Sequence, residues 1–534
     1  MFNQKTRSAI VPIIALSLAA CGGRGSQGSN TSPQAAATGL VCATVLSTND
    51  THGQLVPRTF RRMGEREVGG SAVLGAYFGA IRDTSSCPVF LFSGGDIMQG
   101  TPVSNLLEGV STIAAFNELD YDAAALGNHE FDWGIIILRQ RMEQADFPIL
   151  GANVYERATG EHPEWLSPTA VVERQGVRIG VVGLATRSTP TSTRPWNVSE
   201  LEFRPVSEAL NEYVPQLRAQ GVHFVVATMH AGGFCRSDEG CGGEAFDEVG
   251  AAAELPDYVV TGHTHSHLEQ SVRGVPIIQS RSSTAAFGVG RMTRTAGGEI
   301  SAHIVDIVDA YADQVTPDPD LVEIVGNYVA QVADISERLI AAEIADDLPR
   351  VSGGQAGYPL GRLIADAQRG SAGTQIAIMN NGGIRTDLAA GQPTFGDLFS
   401  IQPFGNVLVR LTVSGSVVLA ALEHALEDGD PDAHISGIVA RYDPAAGQGS
   451  RVLSAVLTDG QEVVTSGSYT VVVNDFMAGG GSGFTMFEDA EELKVTGTAD
   501  LDALIAWIEA AEQPVVGPSD PRWVAAPGGS NGSD

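Results

Sequence analysis

Positive charge is scarce in this chain. Its 534 residues carry 32 Lys and Arg against 63 Asp and Glu, a formal net charge of −31 at pH 7. That balance excludes a nucleic-acid groove built on a basic field, and it repels anionic membrane surfaces. A phosphate-bearing substrate would need a local cation to override the field, and metal ions are the obvious candidates. Long apolar runs are also missing. None reaches the roughly 20 residues of a membrane-spanning helix. No Cys-x-x-Cys occurs among the five cysteines, which makes reactive or zinc-binding thiols a poor reading. No internal repeat is present. What remains is globular: with 43% hydrophobic and 18% charged residues a sizeable core is available, so global disorder is excluded. The length suggests about two to four domains.

Residues 1–20 read as a secretory signal peptide, with Lys5 and Arg7 ahead of an apolar stretch from Ala9 to Ala20. Leu18-Ala19-Ala20-Cys21 resembles a bacterial lipobox, which implies cleavage before Cys21 and lipid attachment to its sulfur. Several acyl chains on one residue make a stable membrane anchor. Gly22 in place of Asp favours the outer over the inner membrane, so an exported lipoprotein on the periplasmic side is expected. Plain secretion is the alternative. After Cys21, residues up to Gly39 are rich in Gly, Ser, Gln, Asn, Thr and Ala and form a flexible tether. Export makes Cys42, Cys87, Cys235 and Cys241 disulfide candidates. Cys42 opens one strand-like run and Cys87 precedes another, so parallel neighbours would place them side by side. Of the three possible pairings, 42–87 with 235–241 is expected.

Short apolar runs recur at Val41–Thr48, Val89–Ser93, Ala123–Leu126, Val177–Leu184, Val222–Met229 and Tyr258–Thr261. Runs without strict alternation suit strands buried on both faces. Helix-like stretches lie between them, such as Asn105–Leu119 and Ser207–Gln220, the second interrupted by Pro215. The pattern is βαβ-like, an α/β domain over 40–314 with a mostly central sheet covered by helices. Val272–Ser283 and Gly288–Ala310 read as its closing strands. Leu321, Ile324, Val325, Tyr328, Val329, Val332, Ile335 and Leu339 keep helical spacing behind Pro319, giving a connecting helix within 315–344. A second α/β domain follows at 345–516, and 517–534, rich in Pro, Gly, Ser and Asn, reads as a flexible tail.

Five of the runs end directly in residues able to hold a metal: Asn49-Asp50-Thr51-His52-Gly53, Gly94-Gly95-Asp96, Gly127-Asn128-His129-Glu130-Phe131-Asp132, His230, and Gly262-His263-Thr264-His265. In an open α/β sheet ligands bind beyond the carboxyl ends of the strands, so these segments are expected to converge. Two divalent ions about 3.5–4 Å apart clamp the attacking and leaving oxygens of a phosphoryl transfer. A carboxylate such as Asp96 could bridge them, and imidazole with carboxylate suits Zn, Mn, Fe or Co. Each motif alone is common on solvated turns; all five in order, each behind a strand-like run, are not. His223 reads as a core residue and His267 as a rim residue, while His162, His303, His424 and His434 have no evident partner.

This set resembles the calcineurin-like metallophosphoesterases, and within them the 5′-nucleotidase family, over nearly all the chain behind the tether. The resemblance implies an N-terminal αββα sandwich, a connecting helix and a C-terminal α/β specificity domain. It implies that Asp50, His52, Asp96 and His265 hold one divalent ion, and Asp96, Asn128, His230 and His263 the other. His129 would be catalytic, with Asp132 as its partner; a carboxylate three residues on fixes the tautomer and raises the basicity of the imidazole.

In the second domain, Ile376–Met379 reads as a strand that runs into Asn380-Asn381-Gly382-Gly383-Ile384-Arg385. Glycines beside an arginine suit close approach to an anion. Gln402-Pro403-Phe404-Gly405-Asn406 and the Gly-rich stretch up to Phe484 carry two rings that read either as core or as a sandwich for a flat base. The resemblance favours the sandwich and implies substrate contacts from Asn380, Arg385, Phe404, Asn406, Phe484 and Asp489. Relatives place further arginines ahead of Leu360-Gly361-Arg362; here only Arg350 and Arg362 flank that stretch. The expected activity is metal-dependent hydrolysis of extracytoplasmic nucleotides to nucleoside and phosphate. The same centre could instead serve a UDP-sugar, a 2′,3′-cyclic nucleotide or a thiosulfohydrolase-like ester. A nucleotide-binding surface lipoprotein without catalysis is the non-enzymatic alternative.

Overall fold

The computed structural model describes residues 40–60, 63–64, 66–236, 240–351 and 356–526. The signal peptide, Cys21 and the tether expected over 1–39 lie outside the described residues, as does the tail beyond 526.

The N-terminal half holds two six-stranded sheets rather than one central sheet. The first runs Ile300–Asp309, Ala286–Arg294, Val41–Thr48, Val89–Ser93, Ala123–Ala125, Ile149–Leu150. The second runs His267–Val272, Val275–Ser280, Tyr258–Thr261, Phe224–His230, Val177–Ala185, Thr169–Arg174. The central strands of each are parallel. Their inner faces pack on one another through Val45, Phe90 and Phe92 from the first and Val181, Val226 and Val260 from the second, all buried. Helices cover the outer faces: Ser71–Thr84 and Val110–Glu118 on the first sheet, Val206–Ala219 and Glu244–Ala251 on the second. This αββα stack explains why the strand-like runs are apolar throughout, since each central strand faces the other sheet on one side and helices on the other.

Several local expectations shift. The helix read over Asn105–Leu119 breaks at Glu108 (φ 48°) and Gly109 (φ 83°), leaving Pro102–Asn105 and Val110–Glu118. Val206–Ala219 continues through Pro215. Gly288–Ala310 is not one strand but the body of a hairpin, Ala286–Arg294 paired antiparallel with Ile300–Asp309. The connecting helix spans Pro319–Ser336, capped by Asp318, whose side chain accepts from Asp320 N and Leu321 N. It buries Leu321, Val325 and Val332 in the core of the first sheet and its helices. Leu339 lies beyond its end, in a bridge to Thr394.

The C-terminal half holds a five-stranded sheet ordered Ala433–Ser436, Ile376–Asn380, Ser468–Asn474, Val407–Ser414, Glu492–Ala499 and a three-stranded sheet ordered Val452–Leu457, Ile438–Tyr442, Trp523–Ala525. Met379 faces helices Pro359–Ala372 and Asp500–Ala510, whereas Ile376 and Ile378 face Gly415–His424, the alternation expected of a strand between two layers. The tail read from 517 onward is corrected in part. Trp523–Ala525 pairs parallel with Ile438–Tyr442. Arg522 holds it there, donating to Asp366 and to the carbonyl of Ile435. A composition rich in Pro, Gly and Ser hid three residues that complete a sheet edge.

Cys42 and Cys87 are bonded, with Cα atoms 5.6 Å apart, and Cys235 is bonded to Cys241. The first bond ties neighbouring parallel strands across 45 residues of sequence. Replacing Cys42 and Cys87 together by Ser is expected to lower stability by about 2–4 kcal/mol, measured as a lower urea midpoint, with a steeper slope as the unlinked chain exposes more surface on unfolding.

Candidate active site

Both sheets direct the carboxyl ends of their parallel strands to one rim, and the sequence-predicted residues meet there. Asp50 and His52 follow Val41–Thr48, Asp96 follows Val89–Ser93, and Asn128 and His129 follow Ala123–Ala125. His230 ends Phe224–His230, and His263 and His265 follow Tyr258–Thr261. The backbone is bent sharply to do this: Asp50 (φ 47°), His52 (49°), Asp96 (53°), His263 (74°) and His265 (53°) are all left-handed. Strain of this kind, costing about 1–3 kcal/mol per residue, gathers at functional sites. Two glycines are required by space. A Cβ on Gly95 would lie 2.7 Å from His230 Nδ1, and one on Gly127 would lie 2.2 Å from Asp96 Oδ1.

The side chains converge in two groups, Asp50 with His52 and His265, and Asp50 with Asp96 and His230. His52 Nε2 lies 3.0 Å from His265 Nε2 and 3.9 Å from Asp96 Oδ2. His230 Nε2 lies 3.1 Å from Asp96 Oδ2 and 3.0 Å from Asn128 Oδ1, and His263 Nδ1 lies 3.1 Å from the same amide oxygen. Three of the donors are oriented from behind. His52 Nδ1 donates to the Gln99 carbonyl and His230 Nδ1 to that of Gly94, which turns both Nε2 atoms inward. Asn128 Nδ2 donates to the Ser192 carbonyl, which aims its oxygen inward. Such outer hydrogen bonds are how proteins fix metal ligands.

The electrostatics fit a cation. Burial lowers the pKa of His52, His263 and His265, and Arg385 or His230 nearby lowers them further, so these imidazoles are neutral with lone pairs to offer; His263 falls to about 4. For His230, burial alone would also lower the pKa, but the carboxylates of Asp96 and Asp50 outweigh it and hold it up to about 10. Burial would raise the Asp50 carboxyl, yet His265 and His230 bring it down to about 2. Buried carboxylates and neutral imidazoles held this close form a ready receptor for positive charge, and the donor set matches divalent transition ions.

Two supporting residues had no role assigned from the sequence, Glu130 inside the third motif and Gln279 outside all five. The Glu130 carboxylate accepts from the backbone N–H groups of Asp96, Ile97 and Gly127, knitting two ligand loops together. Buried Gln279 accepts from Thr264 Oγ1 and Ser266 N and donates to the Gly262 carbonyl, holding the turn that carries His263 and His265. The signal for Glu130 was its place beside His129; Gln279 gave none.

His129 Nδ1 sits 2.8 Å from Asp132 Oδ2, and Thr193 Oγ1 donates to the other carboxylate oxygen. Burial would lower the His129 pKa, but Asp132 and Asp96 outweigh it and raise it above the ordinary value. The C-terminal half closes over this pair. Arg385 Nη2 donates to His52 Nε2 at 3.1 Å, and the Phe404 ring lies 5.4 Å from that of His129, tilted 24°. A cavity of about 290 Å³ lies between the halves, lined by Asn128, His129, Arg385, Phe404, Asn380 and Asn406 among others.

Two expected substrate contacts are not brought there. Phe484 is 3% exposed and packs in the C-terminal core, with His424 edge-on 4.6 Å from it and Phe487 stacked on it. Asp489 is exposed and does not line the cavity. Phe476 and Arg194 line it instead. Of the other histidines, His434 is fully buried. It bonds to Asn381 and to Gly357 N, so it supports the 380–385 loop from below. His223 is half-buried, its Nδ1 accepting from Arg178 N.

The family model for calcineurin-like phosphoesterases matches residues 43–267, and that for the 5′-nucleotidase C-terminal domain matches residues 338–489. The chain belongs to the 5′-nucleotidase family of calcineurin-like phosphoesterases. The solved 5′-nucleotidase precursor of Thermus thermophilus shares 27% identity and superposes with a TM-score of 0.80 over 91% of this chain and 99% of that one. Protein UshA of Escherichia coli (strain K12) is 28% identical over 87% of this chain and 90% of its own length. Endonuclease YhcR of Bacillus subtilis (strain 168) is 27% identical over 88% of this chain, which spans only 40% of that protein.

In this family member Asp50 is common to both ligand groups, and Asp96 Oδ2 lies 3.9 Å from His52 Nε2 of one and 3.1 Å from His230 Nε2 of the other. Asp96→Ala is expected to lose bound metal, measured by elemental analysis of protein purified with added Mn²⁺, while its far-ultraviolet circular dichroism stays that of the parent.

Proposed function

We propose that the chain is an exported, metal-dependent 5′-nucleotidase that releases phosphate from nucleotides, anchored to the membrane by lipid on Cys21. The observation that carries this reading is the meeting of Arg385 and Phe404, from the C-terminal half, with His52 and His129, from the N-terminal half, around one cavity. A charged fork and a flat ring side by side over a metal-ligand cluster, the guanidinium 5.6 Å from the ring centre, fit a phosphate joined to an aromatic base. The two disulfides suit an oxidising compartment. No helix among the described residues is long and apolar enough to cross a membrane; in this reading the lipid is the means of attachment.

Asp50, His52, Asp96 and His265 would hold one divalent ion, and Asp96, Asn128, His230 and His263 the other, with zinc, manganese, cobalt or iron as suitable occupants. When bound, such a pair supplies Lewis-acid activation of oxygen at phosphorus. The protein does the rest. Arg385 offers its guanidinium to the phosphate oxygens, in a chain whose overall field repels them. His129, held by Asp132 and stacked beneath Phe404, stands ready to neutralise charge on the phosphoryl group or to give a proton to the departing oxygen. Phe404 and Phe476 would wall the base side, and Asn380 and Asn406, which line the same cavity, would meet the sugar.

Phosphate release from AMP is expected, lost on chelation and restored by Mn²⁺, Zn²⁺ or Co²⁺. A panel with UDP-glucose, 2′,3′-cyclic AMP and p-nitrophenyl phosphate separates the nucleotidase from the other phosphoesterases; no release from any nucleotide with metal added would refute the nucleotidase. Phe404→Ala is expected to raise KM for AMP about tenfold, as loss of a stacking contact of roughly 1–3 kcal/mol requires, with a smaller effect on p-nitrophenyl phosphate.

A further inference from the structure

Residues 188–197 of the N-terminal half touch, in turn, the metal-ligand cluster, the His129–Asp132 pair and the other half of the chain. Ser188 Oγ lies 3.3 Å from His263 Nε2. The Ser192 carbonyl takes a hydrogen bond from Asn128 Nδ2 at 2.9 Å. Thr193 Oγ1 donates to Asp132 at 2.8 Å. Arg194 Nη2 then crosses the interface and donates to the carbonyls of Phe404, at 2.7 Å, and Gly405, at 3.1 Å. Asn197 Nδ2 closes the segment back onto the carbonyls of Phe131 and Asp132.

The turn that Arg194 grips is tied to its own half at its two ends, by Gln402 N to the Leu398 carbonyl and by Asp500 N to the Asn406 carbonyl. Gly405 is left-handed (φ 61°) and exposed. The Pro403 carbonyl is also met from the N-terminal half, by Asn105 Nδ2 at 2.8 Å. The carbonyls of three successive residues therefore take their donors from across the interface. Arginine suits the task because its planar head carries several N–H groups in fixed directions and keeps its charge when half-buried. Its backbone neighbours Ser192 and Thr193 are fixed to Asn128 and Asp132, so the guanidinium is registered against the metal-ligand cluster.

We infer that Arg194 is a positioning residue: it anchors the Phe404–Gly405 turn and thereby sets the Phe404 ring over His129, joining base recognition to the reacting end of the site. The inference rests on the nucleotidase reading for its kinetic consequence but not for its structural one. It assigns the second arginine of the cavity to the N-terminal half. Arg350 does not take that place: it lies behind Arg385 and donates to the Ile384 carbonyl.

Two measurements on the full chain test it. In amide hydrogen exchange without substrate, Arg194→Ala is expected to speed exchange over residues 402–407 by about tenfold or more, the scale of a lost charged hydrogen bond. Arg194→Lys, which keeps a charged donor, should give an intermediate rate. Unchanged exchange in Arg194→Ala would overturn the anchor whatever the substrate proves to be. In kinetics with AMP, Arg194→Ala should raise KM about tenfold at unchanged metal content. Made in the Phe404→Ala background, the same change should cost less than about twofold more, because the two act through one ring. Losses that multiply fully, or loss of bound metal, would overturn the route through Phe404. If the parent protein releases no phosphate from AMP, the nucleotidase reading falls, and the exchange experiment still decides the anchor.

Discussion

Two carboxylates and four imidazoles are packed into a buried space at the rim of two sheets, and the rest of the structure is arranged around keeping them there. Asp50 and Asp96 are 0% and 2% exposed. Charges so deprived of water are costly unless opposite charge meets them. The backbone accepts left-handed conformations at five of the converging residues, and Glu130 and Gln279 commit their hydrogen bonds to the loops that bear them. None of this favours folding locally. It makes sense as preorganisation for cations, with stability supplied by the sheet-on-sheet core beneath.

The acidic character of the chain sharpens the division of labour between the halves. An anionic substrate approaches a molecule with 63 acidic residues against 32 basic ones. Positive charge is therefore concentrated where the substrate must stop: Arg385 from one half and Arg194 from the other both line the cavity. Each also makes a contact across the interface, Arg385 to His52 and Arg194 to the Phe404 turn, so the cationic groups of the cavity are also groups that hold the halves together.

The metal-ligand loops were legible because their signal is local. A short apolar run followed by glycine and then Asp, Asn or His states both the strand and the turn that ends it. The division into two sheets was not legible from the runs themselves, since a strand between two sheets and a strand between sheet and helix are equally apolar; the family resemblance supplied it. Phe484 and Phe476 show the limit more sharply. Both rings sit beside Gly-rich turns in the sequence, and only the packing of His424 and Phe487 against Phe484 sends that ring to the core. Arg194 lay in an unremarkable Thr-Arg-Pro stretch, and its role depends on a carbonyl 210 residues away. Long-range polar contacts of this kind leave no periodicity. Trp523 was missed for the converse reason, a strand too short to outweigh the composition around it.

The helix Pro319–Ser336 has a mechanical meaning. Leu321, Val325 and Val332 root it in the hydrophobic core of the N-terminal half, so it travels with that half as a rigid outrigger. Any swing of the C-terminal half must then articulate downstream of Ser336, where Gly396 comes so close that a Cβ there would lie 2.9 Å from the Ser336 carbonyl. Past Ser336 the chain leaves that core and joins the C-terminal half through the bridge of Leu339 to Thr394.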